Sequence, residues 1–113
     1  ALTRAIFCQQ IANKLYPNEV HAFIVGLFSY LPSFFGESIE QLLNDIPLEK
    51  SLNLALTQFK GPLGSTLKFA QQYERGQWEE LPAQMLLEAG LEKSDMRDLY
   101  IESIKQAKEL QSL

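Results

Sequence analysis

Histidine and cysteine are almost missing from this chain: each occurs once, as His21 and Cys8. A lone cysteine forms no intrachain disulfide and builds no cysteine zinc cluster. A lone histidine gives no His-based metal site and leaves a Ser or Cys nucleophile with one candidate base at most. Basic residues are also few, ten Lys and Arg against 14 Asp and Glu, for a net charge of -4 and a pI near 4.9. That balance disfavours phosphate backbones, so nucleic acid is not an expected partner. No apolar run approaches the ~18 residues of a membrane span, and the opening "ALTRAIFCQQ" has no long apolar core of a signal peptide and reads as a helix already under way. A reducing cytoplasm fits these absences.

What is present is a helical pattern. With 113 residues, 46% apolar and 21% charged, the chain is long enough to bury roughly two thirds of its unfolded surface in one modest core. Alternating strand patterns do not occur, and the spacing predicts an all-α bundle of about six to seven helices. Over residues 2 to 15, Ala5, Cys8, Ile11, Ala12 and Leu15 share a face, and Pro17 ends the pattern. Asn18 is placed to cap a second helix whose Val20, Phe23, Ile24, Leu27, Phe28 and Leu31 form a stripe, with Ala22, Val25 and Gly26 on the other side; such a helix is expected to be buried on most sides.

The run "SIEQ" at 38 to 41 has the form of a capping box, with Ile39, Leu42, Leu43 and Ile46 behind it and Pro47 as the stop. A fourth helix carries Leu48, Leu52, Ala55, Leu56 and Phe59. After "KGPLG" a fifth carries Leu63, Leu67, Ala70 and Tyr73. A sixth is expected from Trp78 to Ala89, with Gly90 as its end, and a last one opens at Ser94 and Asp95 with Met96, Leu99, Tyr100, Ser103, Ala107 and Leu110 inward.

Few constellations carry chemistry. His21 stands at a helix start and reads as a surface or satisfied residue. Cys8 lies on the apolar face of its helix and reads as an inert core thiol. Ser29 has no Gly-x-Ser-x-Gly elbow, and Glu79 and Glu80 point about 100° apart on a helix, as a solvated face does. "YERGQW", residues 73 to 78, has two readings: a ligand corner with Arg75 as anion contact and Trp78 as stacking wall, or a helix end at Gly76 with Tyr73 and Trp78 in the core. The second is favoured. The aromatics at Phe23, Phe28, Tyr30, Phe34, Phe35, Phe59 and Phe69 read mainly as core, except that Phe34 and Phe35 in "PSFFG" fall in a break between helices and are candidates to face a partner.

The segments "TRAIFCQQIA", "AFIVGLFSYLPSFFG", "IEQLLNDIPLEKSLNLAL" and "GPLGSTLKFAQQYERGQW", followed by an amphipathic last helix, resemble the C-terminal part of an HDOD domain, of the type found behind EAL domains in bacterial signalling proteins. The resemblance covers almost the whole chain, with "FIVGLFSYLP", "GPLG" and "YERGQW" its most specific pieces. HDOD domains are related to HD-type phosphohydrolases, in which a Gly-Leu-Leu-type lead-in continues into a His-Asp metal pair. Gly26, Leu27 and Phe28 keep the lead-in, while Ser29 and Tyr30 stand where His and Asp would be, and Pro32 and Ser33 replace the Gly and Lys that commonly follow. A hydroxyl and a phenol do not substitute for imidazole and carboxylate on a divalent metal.

The resemblance therefore implies residues 1 to 113 as one all-α, HD-domain-like unit, the C-terminal part of an HDOD domain in a larger signalling protein. It implies no enzyme activity, no cofactor and no metal. Its role would be regulation or output in cyclic di-GMP-type signalling through protein-protein or interdomain contact, with an upstream EAL domain of the same polypeptide as partner. An EAL domain degrades cyclic di-GMP when its own catalytic residues are intact. Candidate contacts are Phe34, Phe35, Arg75 and Trp78. Two alternatives are a degenerate HD-type phosphohydrolase with residual metal or nucleotide binding, and a simple dimerisation module forming a homodimer.

Overall fold

The computed structural model describes residues 1–77 and 83–112, and the described residues contain helices and no strand. In chain order these are α1 (Leu2–Leu15), α2 (Ala22–Phe28), α3 (Leu31–Phe35), α4 (Ile39–Leu43), α5 (Lys50–Gln58), α6 (Gly61–Glu74), α7 (Ala83–Glu88) and α8 (Lys93–Gln111). The all-α expectation holds. A turn at Ser29 and Tyr30 splits the apolar run of 20 to 35 into α2 and α3, which adds a short segment to the expected set.

α1 is the central element, packed against α2, α6 and α8. Its burial is wider than one stripe: Ala5, Ile6, Phe7, Cys8, Ile11 and Ala12 are all inside. Phe7, fully buried, contributes about 1.5–3 kcal/mol by leaving water. α5 and α6 pair with each other, and α2 touches both. The core is filled by Val25, Leu52, Leu56, Leu63, Leu67, Phe69, Leu86 and Met96 together with the α1 residues. Thr66 and Ser103 are the buried polar side chains among the described residues, and each hydroxyl donates to the carbonyl one turn back, Pro62 and Leu99, at 2.8 Å. Neither hydroxyl is left without a partner in the core.

α2 is buried on fewer sides than expected. Its N-cap is His21, not Asn18, and Val20 lies outside the helix and is 78% exposed. The side turned inward is the small one, Ala22, Val25 and Gly26, while of the large stripe only Phe28 packs against the core. The reason is the closeness of α1: a Cβ on Gly26 would stand 2.8 Å from Ala5 Cα and 2.8 Å from the Arg4 carbonyl oxygen. Backbones approach that closely only through small residues, and the bulky stripe is left on the outer side.

The other boundaries shift by a residue or two. The capping box forms as read, with Gln41 N–H on Ser38 Oγ at 3.2 Å and Ser38 N–H on Gln41 Oε1 at 3.1 Å. Phe59 is not a helix-face residue of α5. It is the C-cap, in the left-handed region at φ 55 and 40% exposed. Gly64 accommodates it, since a Cβ there would collide with the Phe59 carbonyl carbon. α8 opens one residue early, at Lys93, because the Asp95 carboxylate turns back to accept the Glu92 N–H at 2.7 Å. Leu110, expected inward, is 46% exposed near the end of α8. Of the expected sixth helix, Ala83–Glu88 is seen as α7, stopped by Gly90 at φ 68; its start at Trp78 lies outside the described residues.

Candidate functional site

The turn that breaks α2 from α3 puts Ser29 and Tyr30 beside the first turn of α1. There both side chains meet Arg4. Ser29 Oγ donates to the Gly26 carbonyl at 2.6 Å, which fixes its rotamer, and accepts from Arg4 Nη1 at 3.1 Å. The Tyr30 ring lies under the guanidinium, 3.9 Å from Cζ to the ring centroid, a cation-π contact.

The other side of the guanidinium is held by Glu74, the last residue of α6. Arg4 Nη2 donates to Glu74 Oε2 at 2.8 Å, and Nε reaches Oε1 at 3.0 Å and Oε2 at 3.1 Å. Both side chains are only 15% exposed. This forked geometry suits arginine and no other cation. Burial lowers the Arg4 pKa, but the Glu74 hydrogen bonds and charge outweigh it and leave it raised. Burial, and then the Glu74 charge, raise the Tyr30 phenol, with Arg4 acting in the opposite sense.

An aromatic cluster continues the contact one turn along α1. Phe7 lies 5.4 Å from Tyr73 and 4.9 Å edge-on to Tyr100, and the two tyrosine rings are 5.4 Å apart. The end of α6 is therefore tied to α1 twice, through Glu74 on Arg4 and Tyr73 on Phe7, while Tyr100 brings in α8. Cys8 sits behind this cluster, fully buried. Burial, and then the Glu74 charge, push its thiol up to about 12, so it stays protonated near neutral pH.

Beyond Glu74 the helix ends as the core reading of "YERGQW" expects. Gly76 takes φ 74, and Gln77 N–H caps the Gln72 carbonyl at 3.0 Å. Tyr73 is half-buried and Arg75 is exposed. Trp78 lies outside the described residues. Phe34 and Phe35 are both exposed, 71% and 64%. The structure thus brings Ser29 and Tyr30 together and leaves Phe34, Phe35 and Arg75 on the surface. His21 lies 3.9 Å from the exposed Glu49 carboxylate, and among the described residues no three His, Cys, Asp or Glu side chains form a group able to hold a metal.

Sequence reasoning missed Arg4 and Glu74. The two are 70 positions apart, in separate segments that no local spacing links. The available signal was Glu74 inside "YERGQW", an acid next to Tyr73 at a helix end.

Comparison with known proteins gives two relatives. The chain is 34% identical over 115 residues to the cyclic di-GMP phosphodiesterase CdgJ of Vibrio cholerae, a match that covers 100% of this chain and 26% of that protein. It is 23% identical over 106 residues to the uncharacterized protein YuxH of Bacillus subtilis, covering 93% of this chain and 25% of that protein. The chain spans about a quarter of the length of these relatives. No protein-family model matches it, and no solved structure does. The sequence is thus similar, along its whole length, to part of a cyclic di-GMP phosphodiesterase.

Proposed function

We propose that the chain is a non-catalytic regulatory or output module of a bacterial cyclic di-GMP signalling protein, the C-terminal part of an HDOD domain working by contact with an EAL domain of the same polypeptide. The observation that carries this reading is the Arg4 network. At the pair of positions where the resemblance sets metal ligands, Ser29 and Tyr30 hold a guanidinium that is already matched by Glu74. A divalent cation brought to this spot meets a fixed positive charge, a hydroxyl committed to Gly26 and a phenol whose pKa is raised. The carboxylate that meets this guanidinium, Glu74, is engaged by it. The side chains therefore suit a structural junction better than hydrolysis, and the full-length similarity of this chain to a quarter of a phosphodiesterase fits a part that accompanies a catalytic region.

The test is metal content and cyclic di-GMP turnover of the chain by itself. The reading expects neither stoichiometric Mg2+ or Mn2+ nor hydrolysis above the buffer rate. Hydrolysis abolished by chelator and restored by metal would instead make it a degenerate phosphohydrolase.

A further inference from the structure

Helix α3 has five residues and buries none of them. Residues 33–38 are all exposed, and two adjacent phenylalanines, Phe34 and Phe35, stand 71% and 64% in solvent. Gly36, at φ 66, ends the helix immediately after them and carries the chain into α4. A helix with no core residue and two large aromatics in water is not explained by the fold of this chain.

Charge in the stretch that carries α3 is one-sided. From residue 15 to residue 49 there is no Lys or Arg, but there are five acids: Glu19, Glu37, Glu40, Asp45 and Glu49. The remaining 78 residues carry ten basic and nine acidic side chains, so the net charge of -4 comes from this stretch. Glu37 directly follows the α3 cap, and Glu40 lies in the first turn of α4, which packs against α3. Both carboxylates are exposed. The aromatic pair is thus flanked by acids with no cation nearby in the chain.

We propose that α3 and the start of α4 form a docking surface for a basic amphipathic helix of a protein partner. The partner's apolar face covers Phe34 and Phe35, and its Lys or Arg flanks meet Glu37 and Glu40. Aromatic anchors inside a charged rim are the usual energetic centre of such contacts. Charge selects this occupant over two others. A second copy docking through the same face would set Glu37 and Glu40 against their own counterparts. An anionic lipid surface attracts clusters of Lys and Arg, and this stretch has none. The inference rests on the proposed reading in that the module acts by contact.

The experiment titrates the chain with a Leu/Lys amphipathic peptide of about 15 residues, long enough to become helical when bound, and follows backbone amide shifts. Saturable binding with shifts at residues 31–41 is expected. Phe34→Ala with Phe35→Ala should weaken it about tenfold or more. Glu37→Gln with Glu40→Gln, or raised NaCl, should weaken it further, and a Leu/Glu peptide should not bind. Circular dichroism checks that the variants fold, as substitutions at exposed positions should allow.

Equal affinity of the phenylalanine variant, or shifts confined to other helices, would overturn the proposal. So would self-association of the chain that the phenylalanine variant abolishes, or the same shifts with vesicles of anionic phospholipid. Failure of the regulatory reading is separately visible. Removal of the module would then leave hydrolysis by the parent protein unchanged while the peptide still mapped to α3.

Discussion

Arg4 and Glu74 are 70 positions apart and meet in a forked ion pair, 2.8 Å from Nη2 to Oε2, with each side chain 15% exposed. The pair joins the first turn of α1 to the last residue of α6, and the same guanidinium reaches Ser29 and Tyr30 at the α2–α3 turn. One side chain therefore fixes three separate parts of the chain. Its loss leaves a carboxylate with little water and no cation.

Arg4→Ala should destabilise the fold by about 1.5–3 kcal/mol, the range for hydrogen bonds to charged groups. Glu74→Gln should lie lower in that range, because the amide still accepts one bond. Arg4→Lys keeps the charge but loses the fork and the stacking, and should not restore the wild-type value. Urea unfolding of the two single variants and the double variant measures the coupling, and additive effects would show that the two residues do not act together.

Gly26→Ala tests the contact that sets the turn in place. The new Cβ would meet Ala5 Cα and the Arg4 carbonyl oxygen, both at 2.8 Å and both backbone, so α2 must move away from α1. A loss of about 1–3 kcal/mol is expected, as for an overpacked core. Because Ser29 donates to the Gly26 carbonyl, the shift should also disturb the Ser29 contact with Arg4, visible as a change in the Arg4 Nε–H resonance. A neutral substitution would mean that the helices are less closely held.

Cys8 makes a prediction about alkaline pH. Its thiol is pushed from 9.0 up to about 12 in the fold, so between these values the unfolded chain has lost a proton that the folded chain retains. Stability is then full below pH 9 and declines as pH rises toward 12. The raised Tyr30, Tyr73 and Tyr100 phenols act in the same direction at their own pH. Cys8→Ala should remove the earliest part of the decline in a pH series of urea midpoints. Iodoacetamide at neutral pH should label Cys8 only in denaturant, and rapid labelling of the folded protein would contradict the burial.

How much of this was legible follows from what each residue depends on. Helix type, the Ser38 capping box and the stops at Gly76 and Gly90 are local, and the sequence shows them because backbone partners a few residues away decide them. The expected burial of α2 on most sides failed because apolar residues all round read as a buried helix, whereas the nearness of α1 at Gly26 draws in the small side and leaves Ile24 37% exposed. The Asn18 cap failed because Pro17 and Asn18 form a turn, closed by the Glu19 N–H on the Tyr16 carbonyl at 2.9 Å, and the helix begins only at Ala22. Ser29 and Tyr30 stood out through the resemblance, but Arg4 and Glu74 are joined only by the tertiary fold, which no local spacing encodes.

The central claim is that the module controls a linked catalytic region, and the most direct measurement is cyclic di-GMP hydrolysis by the full parent protein with and without residues 1–113. The rate of the remaining protein, shown to be folded by circular dichroism, should differ from that of the intact protein. An unchanged rate in a folded remainder would contradict the account.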